Sequence, residues 1–407
     1  MQRVIRSTFS GGVVGLGSHG FREKERQALL REPHEGEAGP GRYRYPSVVP
    51  DLPAPREYLP FLEAMHERRW YSNFGPLTRR FETGLGEAFG TAEETCVTAS
   101  SATAGLSAAL LATGRPGPVL VPAFTFPASL GAVRAAGMIP IIVDVDRRDW
   151  TLRRDCLERA LSGAGATVVM FVTPFGMRPN FDAEIDLCLR AGAAVVIDNA
   201  SGLGVRRFAD GLPRDVFEVF SMHATKPFAI GEGGAVFAHR DHDEALRAAL
   251  AFALASHLSP DGPRWGFNGK MSEFHAAVGL AQLPRFGPAL QRRQEFVARY
   301  IDLLANRDDL EFPREADRAP WQFFPVLLPS EAAVERFVTA ASAVGVEIRR
   351  YYRPSLSLWP DAATFGPCDV AEDLADRMCV LPVRSNAERE EAEAITTLTA
   401  EALNGAL

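Results

Sequence analysis

Two stretches decide the fold: ATVVMFVTPFG, Ala166 to Gly176, and GAAVVIDNA, Gly192 to Ala200. Each is a near-continuous apolar run bounded by Gly or Pro. A strand with one wet face alternates apolar and polar side chains. These runs do not alternate, so they predict strands buried on both faces, as in a parallel sheet covered by helices. Working outward, ETCVTAS (94–100), GPVLVPAF (117–124), IPIIVDVD (139–146), VFEVFSMHA (216–224) and GGAVFAH (233–239) read as further strands, and ATAGLSAALLAT (102–113) and PASLGAVRAAG (127–137) as helices between them. From about residue 80 to 240 the pattern is that of an α/β protein with a mostly parallel central sheet.

The rhythm changes after about residue 255. A helix over SEFHAAVGLAQL (272–283) is expected, then a separate charged helix over ALQRRQEFVARYIDLLA (289–305), then shorter pieces. The expected organisation is an N-terminal extension over residues 1–45, a large domain over 46–255 and a smaller C-terminal α+β domain over 256–407. Residues 1–45 mix Gly, Arg and Glu without sustained periodicity and read as loosely attached.

The 407 residues are 46% hydrophobic and 23% charged, with a formal net charge of -7. That is a globular balance, and its acidity excludes a basic nucleic-acid binder. No apolar run is long enough to span a bilayer. Cys96, Cys156, Cys188, Cys368 and Cys379 are scattered, with no C-x-x-C pair. They read as reduced thiols of a cytoplasmic protein rather than a disulfide framework or metal site.

In doubly wound sheets ligands sit beyond the carboxyl ends of the strands, and the unusual polar residues fall there. Asp198 ends GAAVVIDNA, where a carboxylate needs a partner. Lys226 lies in SMHATKPFAIGEGG (221–234), between Ser221 and Thr225 on one side and a glycine-rich exit on the other. Desolvation there would lower its pKa toward a nucleophilic amine. TASSATAGLSAAL (98–110) sets Ser100, Ser101 and Thr103 at a strand-to-helix junction, a ready anion site. Phe124 and Phe126 in PAFTFPAS (122–129) end another strand, each either a core residue or a ring facing a planar ligand. Taken singly, each has an ordinary reading: a capped helix, a hairpin turn, a solvated lysine. Together an amine, a carboxylate, a stacking ring and a phosphate cradle are the set that pyridoxal phosphate requires.

Several motifs, in order, resemble the DegT/DnrJ/StrS family of pyridoxal-phosphate sugar aminotransferases. They are NFGPLTRRFETGLGEAFG (73–90), PAFTFPAS, VDVDRRDWTL (143–152), SMHATKPFAIGEGG and GFNGKMSEFHAAVGLAQL (266–283), and the likeness runs from about Tyr58 to Val383. The resemblance implies the type I fold of pyridoxal-phosphate enzymes. It implies Lys226 as the lysine holding the cofactor aldehyde as a Schiff base, Asp198 as partner of the pyridine nitrogen and Phe126 as the stacking ring. Ala102, Thr103 and Ser221 would hold the phosphate, with Ser201 beside the ring. Asn268 would reach the cofactor of a neighbouring subunit, implying a homodimer with shared active sites. His223, Arg350 and Tyr351 are candidates for substrate contact.

The chain departs from the family pattern at Ala102, where Gly is usual, and at Ser201, where the family has Gln or His. The expected activity is transfer of an amino group from glutamate or glutamine to a keto sugar, one linked to a nucleotide, by ping-pong chemistry. A keto-cyclitol aminotransferase and a cofactor-binding regulatory protein without turnover are the alternatives. A dehydratase of the same family would carry histidine in place of Lys226.

Overall fold

The computed structural model describes residues 43–407, except 178, 206–207, 209–210, 255–262 and 361. Residues 1–42, which make up nearly all of the expected extension, lie outside the described residues.

Eight strands form the main sheet: β1 (Glu94–Ala99), β2 (Pro118–Pro122), β3 (Ile139–Val143), β4 (Val168–Val172), β5 (Ala194–Asp198), β6 (Val216–Ser221), β7 (Gly234–His239) and, much later in the chain, β9 (Ala363–Thr364). Their order is β1-β7-β6-β5-β4-β2-β3-β9. All neighbours are parallel except β7, which runs antiparallel to both β1 and β6. Each apolar run therefore becomes a strand, and alternate residues feed two different cores. Val119 and Val121, Val168 and Met170, and Ala194 and Val196 pack on one face. Leu120, Val169 and Phe171, and Val195 and Ile197 pack on the other. Both faces are covered, which is why the runs do not alternate.

Between strands the chain forms helices whose caps are local. Ser101 caps Ala102–Ala112 by accepting from Ala104 N, and Pro127 opens Pro127–Ala135 at its first position. Ser272 caps a 31-residue helix, Glu273–Leu303. Here the expectation of two separate helices is corrected: one helix runs unbroken through Pro284 and Pro288. Its buried face is continuous across the prolines, with Ala276, Ala277 and Phe286 in the core on one side of the sheet and Phe296, Val297 and Tyr300 in a third core. That burial outweighs the lost hydrogen bonds.

The third core lies under a two-stranded antiparallel sheet, β8 (Phe323–Leu327) with β10 (Met378–Pro382), and the helices Glu331–Ala343 and Arg389–Ala406. Tyr45 bridges to Val346, so the first described residues join this part of the molecule. No described helix is long and apolar enough to cross a membrane.

Candidate active site

A cavity of about 370 Å³ opens beyond the carboxyl ends of β2, β4, β5 and β6. Its wall carries Ala102, Thr103, Phe126, Asp198, Ser201, Ser221, His223, Lys226 and Tyr351. Nine of the expected residues, from segments more than 200 positions apart, thus share one cavity. Two do not. Asn268 is exposed and outside the lining, with Oδ1 accepting from Lys270 Nζ at 2.6 Å. Arg350 also lies outside the lining. Its Nη2 donates to Asp376 O at 2.7 Å and to Glu331 Oε1 at 3.3 Å. Tyr351 thus reaches the cavity, while the preceding Arg350 pairs away from it.

Asp198 closes β5 and is 5% exposed. Burial pushes its carboxyl above the ordinary range, opposed by a hydrogen bond from Ser129, by the charge of Lys226 and by the Ala200 N–H. Ser129 Oγ donates to Oδ2 at 2.7 Å and Ala200 N to Oδ1 at 3.2 Å. Ser129 is buried and in turn shares a 2.9 Å hydrogen bond with Thr125 Oγ1. A cationic ring N–H against this carboxylate would hold it ionised.

Lys226 lies in the connection between β6 and β7. Its N–H donates to His223 O at 2.9 Å, and His223 bridges to Gly231, so the connection folds back on itself and presents the side chain to the cavity. Burial lowers the amine's pKa to about 8, against the pull of Asp198. Nζ donates to Ser201 Oγ at 3.1 Å and to Gln322 Oε1 at 2.8 Å.

The N-terminus of the helix Ala102–Ala112 forms another wall. Ser101 Oγ is taken up by Ala104 N at 3.1 Å, which leaves the Ala102 and Thr103 N–H groups, the Thr103 hydroxyl and the buried Ser221 hydroxyl as anion donors. Gly234 lies directly behind this turn: a Cβ there would fall 2.7 Å from Ala102 N and from Ser101 C and O. Phe126, the N-cap residue of the next helix, is 54% exposed, so its ring is free for a planar partner. A carboxylate for a ring nitrogen, an amine for an aldehyde, donors for a phosphate and an uncovered ring are the donor set that pyridoxal phosphate needs.

The sequence reading missed Gln322, Tyr352, Phe175, Thr125 and Ser129. Ser129 stood within the quoted PAFTFPAS, one helical turn from Phe126. Gln322 is a lone polar residue in WQFF (321–324) and reaches the site only through the tertiary fold.

The chain is similar to several named aminotransferases. A dTDP-4-amino-4,6-dideoxy-D-glucose transaminase of Shigella dysenteriae is 26% identical over 86% of this chain and 96% of its own. An L-glutamine:scyllo-inosose aminotransferase of Streptomyces griseus is 30% identical over 74% of this chain and 77% of its own. A crystal structure of DesI with its TDP-sugar product superimposes with a TM-score of 0.78 at 28% identity, covering 88% of this chain and 94% of that one. The fold is the type I fold expected from the sequence. The model of the DegT/DnrJ/EryC1/StrS aminotransferase family matches residues 56–399, and the chain belongs to that family.

Proposed function

We propose that this enzyme, a pyridoxal-phosphate aminotransferase, moves an amino group from glutamate or glutamine to a nucleotide-linked keto sugar. The observation that carries the reading is the cavity in which Lys226, Asp198, Phe126 and the helix N-terminus at Ala102–Thr103 meet. Relatives whose names specify nucleotide-sugar chemistry support the substrate class. The relative named for scyllo-inosose supports a keto-cyclitol as the second reading.

When bound, pyridoxal phosphate supplies a carbonyl for amine exchange and a ring that withdraws electrons from the carbon losing its proton. The chain's own residues supply the rest. Asp198 orients and charges the ring nitrogen, and Ser129 and the Ala200 N–H hold Asp198 in place. Ala102, Thr103 and Ser221 bind phosphate, and Phe126 covers a ring face. Lys226, with its amine poised near neutrality, takes a proton at Nζ from substrate carbon and returns it, as a general base and acid should. Tyr351 and His223 line the side of the cavity left for substrate.

Ping-pong exchange needs both substrates to use this one cavity in turn. We place the second half of the site in a homodimer. Asn268 is exposed and outside its own cavity, and the Tyr71 and Phe274 rings stack at 6.1 Å while 39% and 51% exposed. The five free, buried cysteines fit a reducing, cytoplasmic setting.

The test is an absorbance titration with pyridoxal phosphate and then L-glutamate, beside Lys226→Ala. A visible band that glutamate bleaches in wild type, and that Lys226→Ala lacks, is expected. A panel of nucleotide-linked keto sugars and inososes should then restore it. A band that no amino donor bleaches would favour a cofactor-binding regulatory protein instead.

A further inference from the structure

The C-terminal sheet sends one polar side chain to the catalytic amine. Gln322, directly before β8, is 9% exposed. Its Oε1 accepts from Lys226 Nζ at 2.8 Å and from Ser201 Oγ at 2.6 Å, while Nε2 lies 3.4 Å from Thr225 Oγ1.

The network fixes which way this amide points. Thr225 N donates to His223 Nδ1 at 3.2 Å, so Nδ1 is an acceptor. Thr225 Oγ1, 2.9 Å from the same nitrogen, therefore gives its hydrogen to it. Its lone pairs are left for Gln322 Nε2, which turns Oε1 toward Lys226. The imidazole proton then sits on Nε2, on the side of Glu232 at 3.6 Å. Every member of the chain has one consistent donor direction.

We infer that Gln322 is a positioning residue for Lys226: its amide oxygen, oriented through Thr225 and His223, holds the amine on the cavity wall and fixes the direction in which it meets a carbonyl. Ser201, whose Oγ accepts from Lys226 Nζ at 3.1 Å and donates to Gln322 Oε1 at 2.6 Å, works with Gln322 as one unit. The inference rests on the reading that Lys226 carries the amine chemistry.

The test reads the amine itself, in cofactor-free protein. The sequence has three lysines, Lys24, Lys226 and Lys270, so limited acetylation with acetic anhydride, followed by peptide mass spectrometry across pH, reports Lys226 separately and uses Lys270 as the internal reference. An acceptor oxygen favours the ammonium form, a carboxylate favours it more and a hydrocarbon not at all. Gln322→Leu should move the Lys226 labelling midpoint down and Gln322→Glu should move it up, each by about one pH unit. Bleaching of the visible band by glutamate should slow about tenfold in Gln322→Leu.

A residue that only packs would not shift the midpoint in opposite directions. Midpoints that match wild type in both variants, or that move the same way, overturn the inference. Should Gln322→Leu fail to fold, Thr225→Val removes the group that orients the amide and should give a smaller downward shift. No shift there overturns the inference equally. If the midpoints split as expected but no keto sugar is turned over, the substrate reading falls and this one stands. Turnover with unmoved midpoints is the reverse.

Discussion

Ser129 Oγ sits 2.7 Å from Asp198 Oδ2, a hydrogen bond between the first turn of one helix and the end of a strand 69 residues later. Both side chains are buried, and the hydroxyl counters the desolvation that pushes the carboxyl up. Ser129→Ala should therefore leave Asp198 protonated over a wider pH range and weaken its grip on a ring nitrogen. A hydrogen bond to a charged group contributes about 1.5–3 kcal/mol, so a loss of about ten- to hundredfold in pyridoxal-phosphate affinity is expected, with the fold retained. Thr125→Val, one bond further out, should cost less. Titration of the visible band measures both, and an unchanged affinity in Ser129→Ala would remove Ser129 from the site.

The lowered pKa of Lys226 has two consequences. The free amine, not the ammonium ion, attacks an aldehyde, so capture of pyridoxal phosphate by cofactor-free protein should speed up as pH rises toward about 8 and level off above it. The second concerns stability. In the unfolded chain a lysine keeps its proton to about pH 10.4, whereas in the fold Lys226 releases it near 8. Between those values the unfolded chain binds more protons, so this residue makes stability rise with pH. The wild-type unfolding free energy minus that of Lys226→Met should grow across this window in cofactor-free protein. Denaturant titrations at its two ends test it. A flat difference would mean that Lys226 titrates normally.

How much of this was legible beforehand depended on what each residue needs from its neighbours. The strands were legible because burial on both faces leaves an unbroken apolar run. Asp198, Lys226, Thr103 and Phe126 were legible because each ends or follows a strand, and strand ends share one edge of a parallel sheet. Gln322 was not. It comes from the C-terminal sheet, where a left-handed φ of 53° at Trp321 shifts the chain so that Trp321 fills the third core and Gln322 faces the cavity. No periodicity carries that turn. The pairing of Arg350 was hidden for a related reason: the charge was visible, but the carboxylate of Glu331 and the carbonyl of Asp376 that take it up are not its sequence neighbours. The unbroken helix through Pro284 and Pro288 likewise needed both cores to be seen at once.

Glu273 illustrates a buried charge with a purely structural task. It is 1% exposed, and its carboxylate accepts from Leu77 N and Thr78 N at 2.8 Å each and from Thr78 Oγ1 at 2.5 Å, at the start of the helix Pro76–Phe89. The helix dipole and three donors replace water around the charge. Glu273→Ala strands three buried donors and should cost about 3 kcal/mol in chemical denaturation. Pyridoxal-phosphate affinity in the folded fraction should barely change. A loss of affinity without a loss of stability would contradict this assignment.

Gly234 tests the phosphate cradle without touching a donor. A methyl added there would meet Ala102 N and Ser101 C and O at 2.7 Å, all backbone atoms, so no side-chain rotation can relieve the contact. The start of the helix Ala102–Ala112 must move away from β7 instead, at a cost of about 1–3 kcal/mol. The N–H groups of Ala102 and Thr103 move with it, because helix termini shift as rigid turns. Gly234→Ala should thus lower affinity for pyridoxal phosphate about tenfold or more, while affinity for pyridoxal, which lacks the phosphate, changes little. The ratio of the two affinities is the deciding quantity, since general loosening of the site would weaken both alike. Gly287→Ala, where the added methyl meets nothing within 4 Å inside the helix Glu273–Leu303, is the matched control and should leave the ratio at the wild-type value. If Gly234→Ala leaves the ratio unchanged too, the phosphate is held elsewhere than at this helix.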